Sequence, residues 1–96
     1  MRMMMKFTVP VEKGNAAFKD GTLAKTVEGL MSKMKPEAAY FTTSNGMRGG
    51  MIVFDMKDPS EVVEYCEPLM LNVNAAVEFV PVMTGDDLHK GFTKVK

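Results

Sequence analysis

The chain has 96 residues, which is enough for one domain with a modest core, and we expect residues 1–96 to fold as a single unit. Its composition is 46% hydrophobic and 25% charged, which excludes a disordered tail and a collagen-like chain. Twelve basic residues balance twelve acidic ones, so the formal net charge is zero. Nucleic-acid-binding domains normally carry a basic excess, so we expect no nucleic-acid partner.

The few chemically reactive side chains limit what the chain can do. Cys66 is the only cysteine and cannot form an intrachain disulfide; with a single histidine, no Cys/His cluster arises, so we expect no metal and no cofactor. No apolar run approaches the roughly 20 residues that cross a bilayer. The Met-rich start, whose true initiation site stays open, is too short and too charged for a secretory signal. We therefore expect a cytoplasmic protein without a membrane partner.

The first third of the chain combines a strand pattern with a helical one. Apolar residues alternate over residues 3–11, which predicts a strand that ends near Pro10. We expect a loop at residues 12–15 and then a helical stretch up to Lys35, because apolar residues recur there at spacings of three and four. Gly21 weakens the start of that helix and leaves residues 16–20 open as a separate turn. Pro36 stops the helix.

A predicted hairpin follows. Residues 38–43 and 49–56 carry strand patterns, and the Ser44-Asn45-Gly46 segment between them is a turn signal. A helix then opens at Asp58, which can cap it, and Pro68 inside that stretch should kink or end the helix.

The last elements are a strand and a short helix. Residues 76–83 predict the fourth strand, in which Pro81 favours a position at the edge of the sheet. Thr84 is a capping residue with an acid three positions later, which predicts a short helix through His89.

The predicted order is β-α-β-β-α-β, the ferredoxin-like α+β arrangement. Right-handed crossovers then place both main helices on one face of a four-stranded antiparallel sheet of order 4-1-3-2. Alternation assigns to the helix-covered face Met5, Phe7, Val9, Ala39 or Phe41, Ile52, Phe54, Val77 and Phe79. The other face, here called the open face, receives Lys6, Thr8, Tyr40, Thr42, Met51, Val53, Asp55, Glu78, Val80 and Val82.

The open face carries too many large apolar groups to face water. Met51, Val53, Val80 and Val82 would form an exposed patch, and such patches usually mark an interface. Packing two open faces together covers the patch, so the expected partner is a second copy of the chain. The polar residues of that face then surround a central space; the alternative is that they lie in water at the strand ends.

Several segments resemble the dimeric α+β barrel superfamily, and within it a small bacterial and archaeal family of unknown function. They are KPEAAYF at residues 35–41, DPSE at 58–61, EP at 67–68, and NAAVEF through PVMT at 74–84. The resemblance implies a homodimer whose two sheets form a barrel. Relatives with that architecture include cofactor-independent monooxygenases, haem-degrading enzymes, lactone isomerases and ligand-sensing domains, and a fold alone does not choose among them.

Isolated candidate residues give weak signals. His89 lies among charged residues of the last helix, which is typical of a solvated surface, and Cys66 lies on an apolar helical stripe and is expected to pack as a small hydrophobe. Arg48-Gly49-Gly50 occupies the place of an RNA-binding strand motif, but the base-stacking positions hold no aromatic residue. We interpret the glycines as a turn or bulge. Arg48 remains available to an anionic ligand or a partner carboxylate.

These observations favour a binding module over an enzyme. The expected ligand is a small, mostly apolar molecule held between two sheets, and no catalytic residue is assigned. The candidate ligand-binding residues are Lys6, Thr8, Tyr40, Arg48, Asp55 and Glu78. The alternative function is a cofactor-independent monooxygenase or isomerase. The alternative role for the charged residues is an interface ion-pair network.

Overall fold

The computed structural model describes residues 1–95, which form four strands and four helices. In chain order these are β1 (Arg2–Val9), α1 (Val11–Asp20), α2 (Thr22–Met34), β2 (Ala38–Ser44), β3 (Met47–Asp55), α3 (Glu61–Val73), β4 (Ala76–Pro81) and α4 (Gly85–Thr93). All strand pairs are antiparallel. The prediction of an α+β protein with a four-stranded antiparallel sheet is therefore confirmed.

The sheet order is β2-β3-β1-β4, which is the predicted 4-1-3-2 read from the opposite edge. The strand that contains Pro81 lies at an edge, where a missing N–H does not interrupt a ladder. At the tip of the β2–β3 hairpin, Asn45 and Gly46 have φ angles of 52° and 77°. Two successive positive φ angles are typical of the tight turns that join antiparallel strands.

The connection from β1 to β2 contains two helices where one was predicted. The expected loop at residues 12–15 is wrong, because these residues belong to α1. Pro10 begins that helix: its φ of −56° suits a helix start, and its carbonyl accepts a 2.7 Å hydrogen bond from the Gly14 N–H. Gly21, with a φ of 85°, separates α1 from α2, since a left-handed residue cannot continue a helix.

Helices α1, α2 and α3 cover one face of the sheet and form the core with it. The strand residues buried there are Met3, Met5, Phe7, Val9, Ile52 and Phe54, all at alternate positions. Phe54 lies at the centre and makes edge-to-face contacts with Tyr65 of α3 at 5.5 Å and with Phe79 of β4 at 6.3 Å between ring centroids. The sequence did not decide between Ala39 and Phe41 as the core residue of β2. In the structure, Ala39 packs against the core and Phe41 stays exposed.

Helix α3 differs from its prediction at two points. It begins at Glu61, because the Asp58 carboxylate accepts a hydrogen bond from Ser60 N–H at 2.8 Å and closes a turn before the helix. Of the two outcomes expected at Pro68, a kink or an end, the end is wrong, because the helix continues through this residue. Proline removes one helical hydrogen bond, but the fully buried Leu69 and Val73 anchor the turns that follow it.

The glycines of β3 do not form a turn or bulge. Gly49 and Gly50 pair without interruption with β1 on one side and β2 on the other. A Cβ atom on Gly49 would overlap the carbonyl oxygen of Phe7, and one on Gly50 would lie 2.9 Å from the carbonyl oxygen of Tyr40. Both positions therefore need glycine because neighbouring strands approach closely.

Helix α4 extends from the body of the protein. Thr84 and Asp87 form the predicted capping box, with each side chain bonded to the other's backbone N–H, and the helix runs beyond His89 to Thr93. None of its residues is buried, and the described chain measures 54 Å along its longest axis. Among residues 1–95, no helix is both long and apolar enough to cross a bilayer.

Candidate functional site

An apolar row crosses all four strands of the open face. The strand registers align Ala38, Val53, Met4 and Val80 side by side. All four are only half-buried, whereas Met3, Met5, Ile52 and Phe54 on the helix-covered face are buried. Val53 and Val80 belong to the patch predicted from alternation, whereas Met4 was missed there. The open face therefore presents a continuous apolar band.

A second row, containing the charged candidates, lies beside this band. The registers align Tyr40, Met51, Lys6 and Glu78 across the sheet. Lys6 Nζ and Glu78 Oε2 are 3.9 Å apart, with 44% and 72% of their side chains exposed. Tyr40, 68% exposed, lies two strands from Lys6, or about 10 Å at ordinary strand spacing. The structure thus pairs Lys6 with Glu78, and within residues 1–95 the Tyr40 hydroxyl makes no hydrogen bond.

The hairpin turn makes this part of the open face concave. Ser44 and Asn45, at the tip between β2 and β3, line a depression of about 250 Å³ together with Lys6, Thr8 and Glu78. Sequence reasoning interpreted Ser44 and Asn45 only as a turn signal and missed this role. No local pattern marks it, since it depends on how the hairpin curls relative to β1 and β4.

A second depression adjoins the first. It has a volume of about 290 Å³ and is lined by Lys6, Thr42, Thr43, Ser44, Gly50 and Met51. Lys6 borders both depressions and, among residues 1–95, is the one cationic side chain that lines them. An ammonium group among hydroxyl groups can donate hydrogen bonds to a polar or anionic group of a ligand, while Met51 and the apolar row contact its apolar part.

Asp55 lies apart from these residues. It is on the open face, but it lies four positions along β3 from Met51, the residue that pairs with Lys6. Four positions correspond to about 13 Å along a strand. Its carboxylate accepts a 2.9 Å hydrogen bond from the amino terminus of Met1. This hydrogen bond and the positive charge of that amino group lower the pKa of Asp55. Asp55 therefore pairs with the chain terminus and not with Lys6.

Arg48 lies on the opposite side of the sheet from the other five candidates. Its register partners are Val9 of β1 and Thr43 of β2, and Val9 is buried under the helices. The guanidinium lies 5.8 Å from the centroid of the Phe18 ring. Of the six predicted site residues, the structure brings together Lys6, Thr8 and Glu78, places Tyr40 at the margin of the same face, and separates Asp55 and Arg48.

The remaining reactive side chains, Cys66 and His89, line neither depression of the open face. Cys66 is buried in α3, and burial, followed by the nearby Glu67 carboxylate, raises the pKa of its thiol. His89 is exposed on α4. In the part of the chain that the structure describes, no group of three His, Cys, Asp or Glu side chains could hold a metal ion.

No protein-family model matches this chain, and no curated protein matches it either.

Proposed function

We propose that the chain forms a homodimer in which two ferredoxin-like protomers pack open face to open face as an α+β barrel, enclosing a small, mostly apolar ligand. The observation that carries this proposal is the apolar row of Ala38, Val53, Met4 and Val80, which spans the sheet without a helix to cover it. A second copy presents the same row, so both are removed from water by one isologous contact.

Helix α4 supplies the rest of the contact. Four strands with about six residues each have a flat footprint of about 400 Å², whereas a stable interface takes about 800 Å² from each partner. Leu88 and Phe92 lie one turn apart on α4 and are 43% and 64% exposed. Within the protomer, Arg2 pairs with Asp87 at the first turn of α4, but none of the helix's residues is buried, so we assign its apolar side to the partner.

The ligand would occupy the concave part of the open face. Two such faces together place two Lys6 ammonium groups and two sets of hydroxyl groups around one central space. The apolar rows form its walls, and a polar or anionic group of the ligand interacts with Lys6. Thr8 and Tyr40 border the same space, and Glu78 holds Lys6 in position through the ion pair.

A binding role fits the side chains better than catalysis by a monooxygenase or isomerase. The one thiol is buried in α3, and the one imidazole is exposed on α4, so the two form no nucleophile–base pair within a protomer.

Light scattering and native mass spectrometry test this proposal together. We expect a mass about twice the 10.6 kDa of the chain, with a small molecule retained in the dimer. Val53→Asp places a carboxylate in the apolar row and should give monomers, whereas the matched change Val63→Asp, at an exposed position of α3, should leave the dimer intact. A monomer at micromolar concentration would contradict the proposal, and a dimer that never retains a ligand would contradict its binding half.

A further inference from the structure

A further pocket, separate from the two depressions of the open face, lies on the helix-covered side of the sheet at its β2 edge. It has a volume of about 370 Å³, within the lower part of the range of small-molecule sites. Its apolar walls come from three elements: Phe7 at the end of β1, Leu23 and Val27 on α2, and Phe41 on β2. Phe7 and Phe41 meet edge to face at 6.5 Å between centroids and form a continuous aromatic surface.

Of the described residues that line this pocket, Arg48 alone is charged. Among residues 1–95, no carboxylate forms an ion pair with it and no acceptor takes a hydrogen bond from its side chain, whereas Arg2, the other arginine, is paired with Glu37 and Asp87. A half-buried guanidinium has five N–H donors to satisfy, and they match a carboxylate in a bidentate geometry.

The guanidinium is held in place by α1. Phe18 lies beside it at 5.8 Å, and Gly14 lets the helix backbone approach it, since a Cβ there would lie 2.8 Å from an Arg48 terminal nitrogen. A cation over an aromatic ring keeps its edge free for other partners. The charged group is therefore positioned before any ligand binds, next to an apolar cavity.

We propose that this pocket binds an amphipathic monocarboxylate, with the carboxylate on Arg48 and the apolar body between Phe41 and the α2 residues Leu23 and Val27. The aromatic and aliphatic walls contribute affinity through burial of the apolar body. Arg48 contributes selectivity for the anion, because an uncharged molecule of the same shape leaves its donors without an acceptor. This site lies on the other side of the sheet from the dimer space and does not depend on it.

Titration of the full chain with octanoate, 1-octanol and acetate, followed by amide NMR, tests the proposal. Octanoate should bind saturably and shift the amides of α2 and of the β2–β3 hairpin near Arg48. Octanol should bind about tenfold or more weakly, the difference that a charge-assisted hydrogen bond makes, and acetate should not bind. Equal affinity for octanoate and octanol, no octanoate binding, or shifts confined to the residues around Lys6 would overturn the proposal.

Two variants locate the interaction. Arg48→Gln should weaken octanoate binding about tenfold or more and leave octanol binding unchanged. The matched change Lys19→Gln removes the same charge from an exposed position of α1 and should leave both affinities as they are. Val27→Phe should fill the cavity and remove binding of both molecules. Wild-type octanoate affinity in the folded Arg48→Gln protein would refute the site.

Discussion

Lys6 and Glu78 face each other across β1 and β4, with Nζ and Oε2 3.9 Å apart on the face that no helix covers. In a single chain this is an exposed ion pair, and such pairs contribute about 0–1 kcal/mol to stability. The same pair enclosed between two sheets is different, because a charge left without its partner in a buried site costs about 3–5 kcal/mol. The pair therefore reports whether the open face is covered in solution.

The first prediction follows from that difference. Lys6→Met should lower the free energy of unfolding by about 3–5 kcal/mol in a dimer, and adding Glu78→Gln should restore most of the loss, because it removes the unpaired carboxylate. Urea unfolding of the two single variants and the double variant measures the effect. If the three proteins unfold within about 1 kcal/mol of the wild type, the pair is solvated and the enclosed site is excluded.

The alternation of β1 shows how much of this arrangement could be predicted from sequence. A period of two is a local property of a strand, so the assignment of Met5 and Phe7 to one face and Lys6 and Thr8 to the other needs no tertiary information. The sheet order followed from the sequence of elements, the short hairpin and the handedness of crossovers.

The errors have equally specific causes. Arg48 precedes the predicted start of β3 at residue 49, so no face was assigned to it, and the longer strand places it under the helices. Asp55 was assigned to the correct face, but alternation does not give the register between strands, and it does not reveal the amino terminus that binds Asp55. The loop predicted at residues 12–15 contains Gly14, but in the structure this glycine lies in α1 and makes room for Arg48.

The second prediction concerns helix α4. Phe92→Gln should weaken the dimer, because it removes an exposed aromatic ring from the apolar side of α4. Lys90→Gln introduces the same residue on the opposite side of the helix and should leave the dimer unchanged. Sedimentation velocity over a dilution series measures both dissociation constants. Equal constants for the two variants would show that the partner does not cover the apolar side.

The third prediction is a pH dependence of α4. Asp87 accepts a hydrogen bond from the Thr84 backbone N–H, and this bond is the main reason that the pKa of Asp87 is lowered; Arg2 and Lys90 add smaller effects. A lowered pKa means that the stabilisation is complete above the ordinary aspartate value, about 3.9, and is lost as the pH falls through the folded-state value.

Carbon chemical shifts of residues 85–93 between pH 6 and pH 2 should therefore show α4 losing helical character at the acid end. Asp87→Asn removes the titrating group and should flatten that dependence over the first turn. Thr84→Ala, which removes the other half of the capping box, should lower helicity at every pH. An unchanged acid transition in Asp87→Asn would assign the effect to another carboxylate.

The last prediction compares two glycines that differ only in their surroundings. In β3, a Cβ on Gly49 would overlap the carbonyl oxygen of Phe7 on the neighbouring strand, and backbone cannot move aside as a flexible side chain can. Gly49→Ala should therefore destabilise the protein by about 1–3 kcal/mol, the usual cost of overpacking. In α2, a Cβ on Gly29 meets nothing within 4 Å, so Gly29→Ala should stabilise by about 0.5–1 kcal/mol through the better helix propensity of alanine. Thermal unfolding should shift in opposite directions for the two variants. If Gly49→Ala left the stability unchanged, β1 and β3 would have to lie further apart at the Gly49–Thr8 pair than they do in the structure.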